Sequence, residues 1–139
     1  MNTIIMYTDG GARGNPGPAA IGVYVTSEAG DLVVEHKQAI GNATNNYAEY
    51  QAVLVGLELL KKKFGTALKS MKVIAKLDSE LVQRQLSHEY QIKDPNMVAL
   101  FIAIHNLRVS AFAEIEFQHV PRAQNKEADR LVNEALDGK

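Results

Sequence analysis

Cysteine is absent from the 139 residues, which excludes disulfides and thiolate metal sites; any metal has to be held by carboxylate or imidazole. Oxygen ligands of that kind favour magnesium or manganese. No apolar run approaches the roughly 18 residues that a membrane span needs. The N-terminal MNTIIMYTDGG has neither a basic leader nor a cleavage site, so the expectation is a cytoplasmic protein with no membrane segment. A strong charge of one sign is missing too. Fifteen Lys and Arg stand against 16 Asp and Glu, a net charge of −1, so no whole-molecule field draws in a polyanion. Local basic groups such as Lys61 to Lys63, Lys93 and Arg122 remain as phosphate contacts or as ordinary solvated side chains. Repeats, linkers and low-complexity segments are also lacking.

What is present fits one globular domain over residues 1–139. Apolar residues make up 46% and charged residues 22%, far from the composition of disorder. Residues 3–8 form a β-rich run that stops at Asp9-Gly10-Gly11, followed by a loop rich in Gly and Pro. Residues 20–27 and 31–40 flank Glu28-Ala29-Gly30 as a hairpin. A long helix over 46–64 enters at Asn46 and leaves at Gly65. A fourth strand over 71–77 ends at Asp78-Ser79, able to cap a short helix over 80–87. Pro95 opens a helix to about Arg108, residues 113–120 alternate as a fifth strand, and 126–136 form a last helix. This order predicts an α/β fold, a mixed five-stranded sheet with helices on its faces.

Two apolar strands therefore end at an aspartate, Asp9 and Asp78, where sheets present chemistry; a lone Asp there also reads as a turn or cap residue. Glu49 lies in the first turn of the long helix, and Asn46-x-x-Glu49 resembles a capping box. Yet Glu49 points roughly 140–180° away from the polar stripe of Gln51, Glu58 and Lys62, toward the interior. A carboxylate so placed must be neutralised by a proton, hydrogen bonds or a cation. Asp129, in the first turn of the last helix, sits at the edge of its apolar stripe and reaches the protein body; the alternative is a stabilising acid at a helix start. Brought together, the four acids form an oxygen-rich pocket for two cations roughly 3.5–4 Å apart, an arrangement suited to phosphoryl transfer.

The segments YTDGGARGNPGPAAIGV, TNNYAEYQAVLVGLE, LDSELV and HVPRAQNKEADRL resemble type 1 ribonuclease H, in order and over nearly the whole chain. The resemblance implies a ribonuclease H-like fold with strand order 3-2-1-4-5. It also implies an endonuclease that hydrolyses the RNA strand of RNA:DNA hybrids by a two-metal-ion mechanism, giving 3′-hydroxyl and 5′-phosphate ends. Asp9, Glu49, Asp78 and Asp129 then hold two Mg2+ ions, with Mn2+ able to substitute. Gly11, Asn15, Thr44, Asn45 and Asn46 fall where the hybrid is contacted, amides and backbone groups being suited to reading 2′-hydroxyls. Thr44 matches a phosphate-binding position, while Asn42 replaces a basic residue often found two places before it.

Other departures concern the end of the chain and its middle. The 119–125 segment is shorter than the family's histidine-bearing loop, so the auxiliary histidine is missing. His119 matches a strand-end position with a structural hydrogen-bonding role, and Arg122 is left as the auxiliary candidate, for the leaving group or a phosphate but not for proton shuttling. The 81–96 region lacks the basic, Trp-containing protrusion of some members, and no separate hybrid-binding domain is expected. The partner implied is an RNA:DNA hybrid, bound by a monomer with modest, salt-sensitive affinity. Two alternatives stand beside this reading: a hybrid-binding domain without turnover, and a nuclease of the same fold that also cuts double-stranded RNA. The loop from Gly10 to Gly17 also invites a nucleotide-binding reading, but it lacks a GK[ST] ending, and Pro16 and Pro18 disfavour a following helix.

Overall fold

A computed structural model describes residues 2–139. Its five strands are β1 (Asn2–Ala12), β2 (Gly17–Ser27), β3 (Leu32–Ala43), β4 (Met71–Leu77) and β5 (Glu114–His119), and its four helices are α1 (Asn45–Phe64), α2 (Glu80–Leu86), α3 (Pro95–Ala111) and α4 (Lys126–Leu136). They form one mixed sheet of order β3-β2-β1-β4-β5. β1, β2 and β3 pair antiparallel, while β4 lies parallel to both β1 and β5. This is the sheet that the resemblance implied.

β1 departs from the expected boundary. It does not stop at Asp9 but runs to Ala12, because its pairing with β2 continues through Asp9↔Gly22, Gly10↔Ile21, Gly11↔Ala20 and Ala12↔Ala19. Its parallel pairing with β4 does stop, at Thr8↔Leu77. The Gly-rich stretch after Asp9 is thus partly strand, and the next element, beginning at Gly17, is β2 rather than a helix.

Alternation sorts each strand between two faces. Ile4 and Met6 of β1, Val73 and Ala75 of β4 and Phe117 of β5 turn toward α1 and are buried there with Tyr50, Val53, Leu57 and Leu60. Burying each of the Val, Leu, Ile, Phe and Met side chains among these contributes about 1.5–3 kcal/mol. α1 starts one residue earlier than expected, capped by Thr44, whose Oγ1 accepts the Tyr47 N–H at 3.1 Å. The Asn46 capping box is therefore corrected: Glu49 is the fifth helical residue, and the first turn carries no acid. α4 lies on the other face, where Gly22 makes room for it; a Cβ at Gly22 would stand 2.3 Å from the Ala128 carbonyl oxygen.

Candidate active site

Asp9 sits one residue past the last rung of the β1–β4 ladder, and Asp78 directly follows β4. Where two parallel strands part, their ends leave a crevice with no backbone partner on one side. Both aspartates stand at that opening. Glu49 reaches it from α1 because Gly10 has no side chain: a Cβ there would lie 2.2 Å from the Ala48 carbonyl carbon and 2.5 Å from the Glu49 backbone nitrogen. One carboxylate oxygen from each of Asp9, Glu49 and Asp78 lies within 4.8 Å of the other two. Asp129, on the first turn of α4, stands outside this trio but lines the same cavity of about 440 Å³ and acts on Asp9 by charge and by hydrogen bond.

The electrostatics of the crevice are adverse to the free acids. Burial, opposed in part by a hydrogen bond from Glu49, pushes Asp9 up to about 7, and the charges of Asp78 and Asp129 add to the rise. Glu49 is raised well above the usual carboxylate range, first by burial and then by the Asp9 charge. Glu49 Oε2 and Asp78 Oδ2 are buried without a hydrogen-bond partner. Such oxygens are destabilising unless something positive meets them. Arg122 does so only loosely: its Nε is 3.9 Å from Asp78 Oδ2, and the side chain is 84% exposed. Three closely spaced carboxylates with orphaned oxygens are the donor set of a hard divalent cation. The residues present fit such an ion.

Beside this cavity runs a larger groove of about 750 Å³, lined by Asn15, Thr44, Tyr50, Gln85 and Tyr90 among others, and Asn46 borders both. Two asparagines tie the rim together. Asn15 Oδ1 accepts the Asn45 N–H at 3.0 Å, and Asn45 Oδ1 accepts the Ala12 N–H at 2.8 Å. Since backbone N–H groups only donate, both amides are fixed with oxygen inward and their NH2 groups directed away from these contacts. Gly11 lines the acidic cavity.

Of the residues expected from sequence, the acids, Arg122, Gly11, Asn45 and Asn46 gather at the acidic cavity, while Asn15 and Thr44 lie along the neighbouring groove. His119 does not take the structural hydrogen-bonding role expected of it; its side chain is exposed and makes no hydrogen bond among the described residues. Two contributors escaped the sequence reading, the Tyr50–Gln85 hydrogen bond in the groove wall and Asn125, whose amide reaches Thr8; Ser79, at the cavity edge, did not. Ser79 caps α2 as expected of the Asp78-Ser79 pair. The two that escaped depend on contacts between residues 35 and 117 places apart, which no local pattern announces.

Comparison with known proteins agrees with this architecture. The family profile described as reverse transcriptase-like matches residues 7–135. The chain is 41% identical over 131 residues to ribonuclease HI of Halobacterium salinarum, covering 94% of this chain and 63% of that protein. It is also 41% identical over 135 residues to a bifunctional protein of Mycobacterium tuberculosis, spanning 35% of that protein's length. Among solved structures, a ribonuclease H1 isolated from compost by a metagenomic approach superposes with a TM-score of 0.94 at 47% identity, covering 99% of this chain and 98% of that one. A second structure of that enzyme, in complex with an RNA/DNA hybrid, gives 0.94 at 46% identity, covering 97% of each chain.

Proposed function

The chain belongs to the type 1 ribonuclease H family, and from that premise we propose that it is a single catalytic domain that hydrolyses the RNA strand of RNA:DNA hybrids, leaving 3′-hydroxyl and 5′-phosphate ends. The observation that carries the proposal is the convergence of Asp9, Glu49 and Asp78, with two of their oxygens buried and unpartnered, and with Asp129 on the same cavity. Asp9, Glu49, Asp78 and Asp129 hold two Mg2+ ions, for which Mn2+ substitutes. Bound there, the ions supply a nucleophilic water near neutral pH and offset charge on the phosphate.

The chain's own residues orient the substrate. The NH2 groups of Asn15 and Asn45, with Asn46 between the two cavities, are donors suited to 2′-hydroxyls and to acceptor atoms at the shallow groove of the hybrid. Gly11 lets backbone approach closely, and Thr44 faces the backbone of the DNA strand. Arg122, exposed and held near Asp78 by one long contact, is placed by this reading to hold a phosphate oxygen; its permanent charge suits binding rather than proton transfer. No helix among the described residues is long and apolar enough to cross a membrane, and a cytoplasmic monomer is the working form.

The test is incubation with labelled RNA:DNA, RNA:RNA and DNA:DNA duplexes, with Mg2+ and with excess chelator. Cutting confined to the RNA strand of the hybrid and abolished by chelator is the expected result. Binding without cleavage would leave a hybrid-binding domain, cutting of RNA:RNA would widen the substrate class, and cleavage undiminished in chelator would sink the metal assignment.

A further inference from the structure

Asn125 stands immediately before α4, where an asparagine ordinarily accepts a backbone N–H from the first helical turn through its side-chain oxygen. Here it does not cap the helix. Its side chain is turned into the protein, 1% exposed, and Nδ2 donates to the Thr8 carbonyl oxygen at 2.9 Å across 117 residues of sequence. The freed Oδ1 is buried without a partner, and so is Oγ1 of Thr8. Each orphaned group opposes stability. The arrangement thus gives up a local cap and leaves two polar atoms unmatched in order to make one long-range contact.

That contact joins the two elements whose acids must meet. Thr8 is the residue before Asp9, and its carbonyl lies at the last rung shared by β1 and β4. Asn125 is one helical turn before Asp129, and its own carbonyl accepts the Asp129 N–H at 3.1 Å. Asp129 is the acid outside the tight trio and is only half-buried, so its distance from Asp9 depends on where the start of α4 is pinned.

We propose that Asn125 is a positioning residue, whose amide fixes the first turn of α4 against β1 and thereby holds Asp129 within reach of a cation shared with Asp9. This rests on the reading of the four acids as cation ligands. Groups that orient metal ligands typically contribute about 10–100-fold to metal affinity or activity.

Asn125→Ala is to be compared with wild type for kcat, KM and the Mg2+ concentration giving half-maximal cleavage, and for Mg2+ affinity by calorimetry on the protein without substrate. We expect kcat to fall about tenfold or more, KM for the hybrid to hold within about twofold, and Mg2+ affinity to weaken by about tenfold. In an Asp129→Asn background the same change costs no further activity, because a residue that acts through Asp129 has nothing left to position. A folded Asn125→Ala with wild-type kcat and Mg2+ affinity, or with full additivity to Asp129→Asn, overturns the proposal. Asn125→Asp keeps the side chain's size and removes the donor; it serves if the alanine variant does not fold, with the same outcomes. In the unaltered protein, the Asn125 side-chain amide resonances should shift in step with Mg2+ titration, and resonances indifferent to the ion would overturn the proposal without any variant. A wild-type protein that cuts no hybrid in Mg2+ overturns the functional reading and this one with it, whereas a cutting wild type matched by Asn125→Ala overturns this one alone.

Discussion

Asp9 carries a cost on folding that a bound cation would relieve. With no cation bound, burial and the neighbouring acids hold it at about 7 against an ordinary 3.8, and Glu49 is raised in the same direction. An acid raised on folding binds its proton more tightly in the native state, so its contribution is complete below the unfolded value and is lost as pH climbs through the folded one. In chelator, the protein should therefore lose stability between pH about 4 and about 7, measured by denaturant unfolding, where most proteins hold steady or gain. Asp9→Asn removes the repelling charge and should flatten that slope, leaving the part that burial of Glu49 contributes. It should stabilise the chelated protein at pH 7.5 by about 1–3 kcal/mol, while cutting falls below about 1% of wild type. The reverse pattern, a variant less stable in chelator that still cuts, would show that Asp9 is a structural acid. Mg2+ should stabilise the wild type and leave Asp9→Asn nearly unmoved, since only a protein that binds the ion gains from it.

At the scale of elements, the site depends on how closely α1 can lie on β1. Gly10 is the point of contact, with the Ala48 carbonyl carbon and oxygen each 2.2 Å from where a Cβ would stand. Backbone cannot yield as a side-chain tip can, so Gly10→Ala must lift the helix or bend the strand. The expected loss is about 3 kcal/mol or more in urea unfolding, with metal affinity falling as Glu49 is carried away from Asp9. Unchanged stability would mean that the strand–helix spacing is looser than this packing implies. The sequence made the acids legible because each sits beside a local signal: an apolar strand before Asp9 and Asp78, a helical period that turns Glu49 inward, an apolar stripe beside Asp129. Boundaries were less legible where tertiary contact overrode local chemistry. β1 runs through its glycines because β2 pairs with them, and the cap of α1 is Thr44 rather than Asn46. Asn125 was hidden for the same reason: its position predicts a cap, and only the folded neighbourhood reveals that its amide is used elsewhere.

For the whole molecule, the decisive quantity is how many positive charges are left to meet a phosphate backbone. Net charge is −1, and five of the 15 basic side chains are already engaged in ion pairs. Arg130 is bound to Glu35, Glu127 and Glu134, Lys37 to Glu134, Arg13 to Asp137, Lys72 to Glu114, and Arg84 to Glu80. Beside the two cavities stand Lys93 in the groove and Arg122 with its single long contact. Two phosphate contacts release few counterions, so the logarithm of the binding constant should fall against the logarithm of salt with a slope of about −2. Hybrid affinity, measured in Ca2+ or with an inactive Asp78→Asn variant, should drop only about tenfold between 50 and 200 mM salt, by the same relation. Removing Arg122 should flatten the slope by about one. A slope steeper than about −5 would mean that the hybrid reaches basic groups well beyond the cleft, the Lys61 to Lys63 end of α1 being the nearest cluster in sequence, and it would move the binding surface away from the rim that Asn15 and Asn45 tie together.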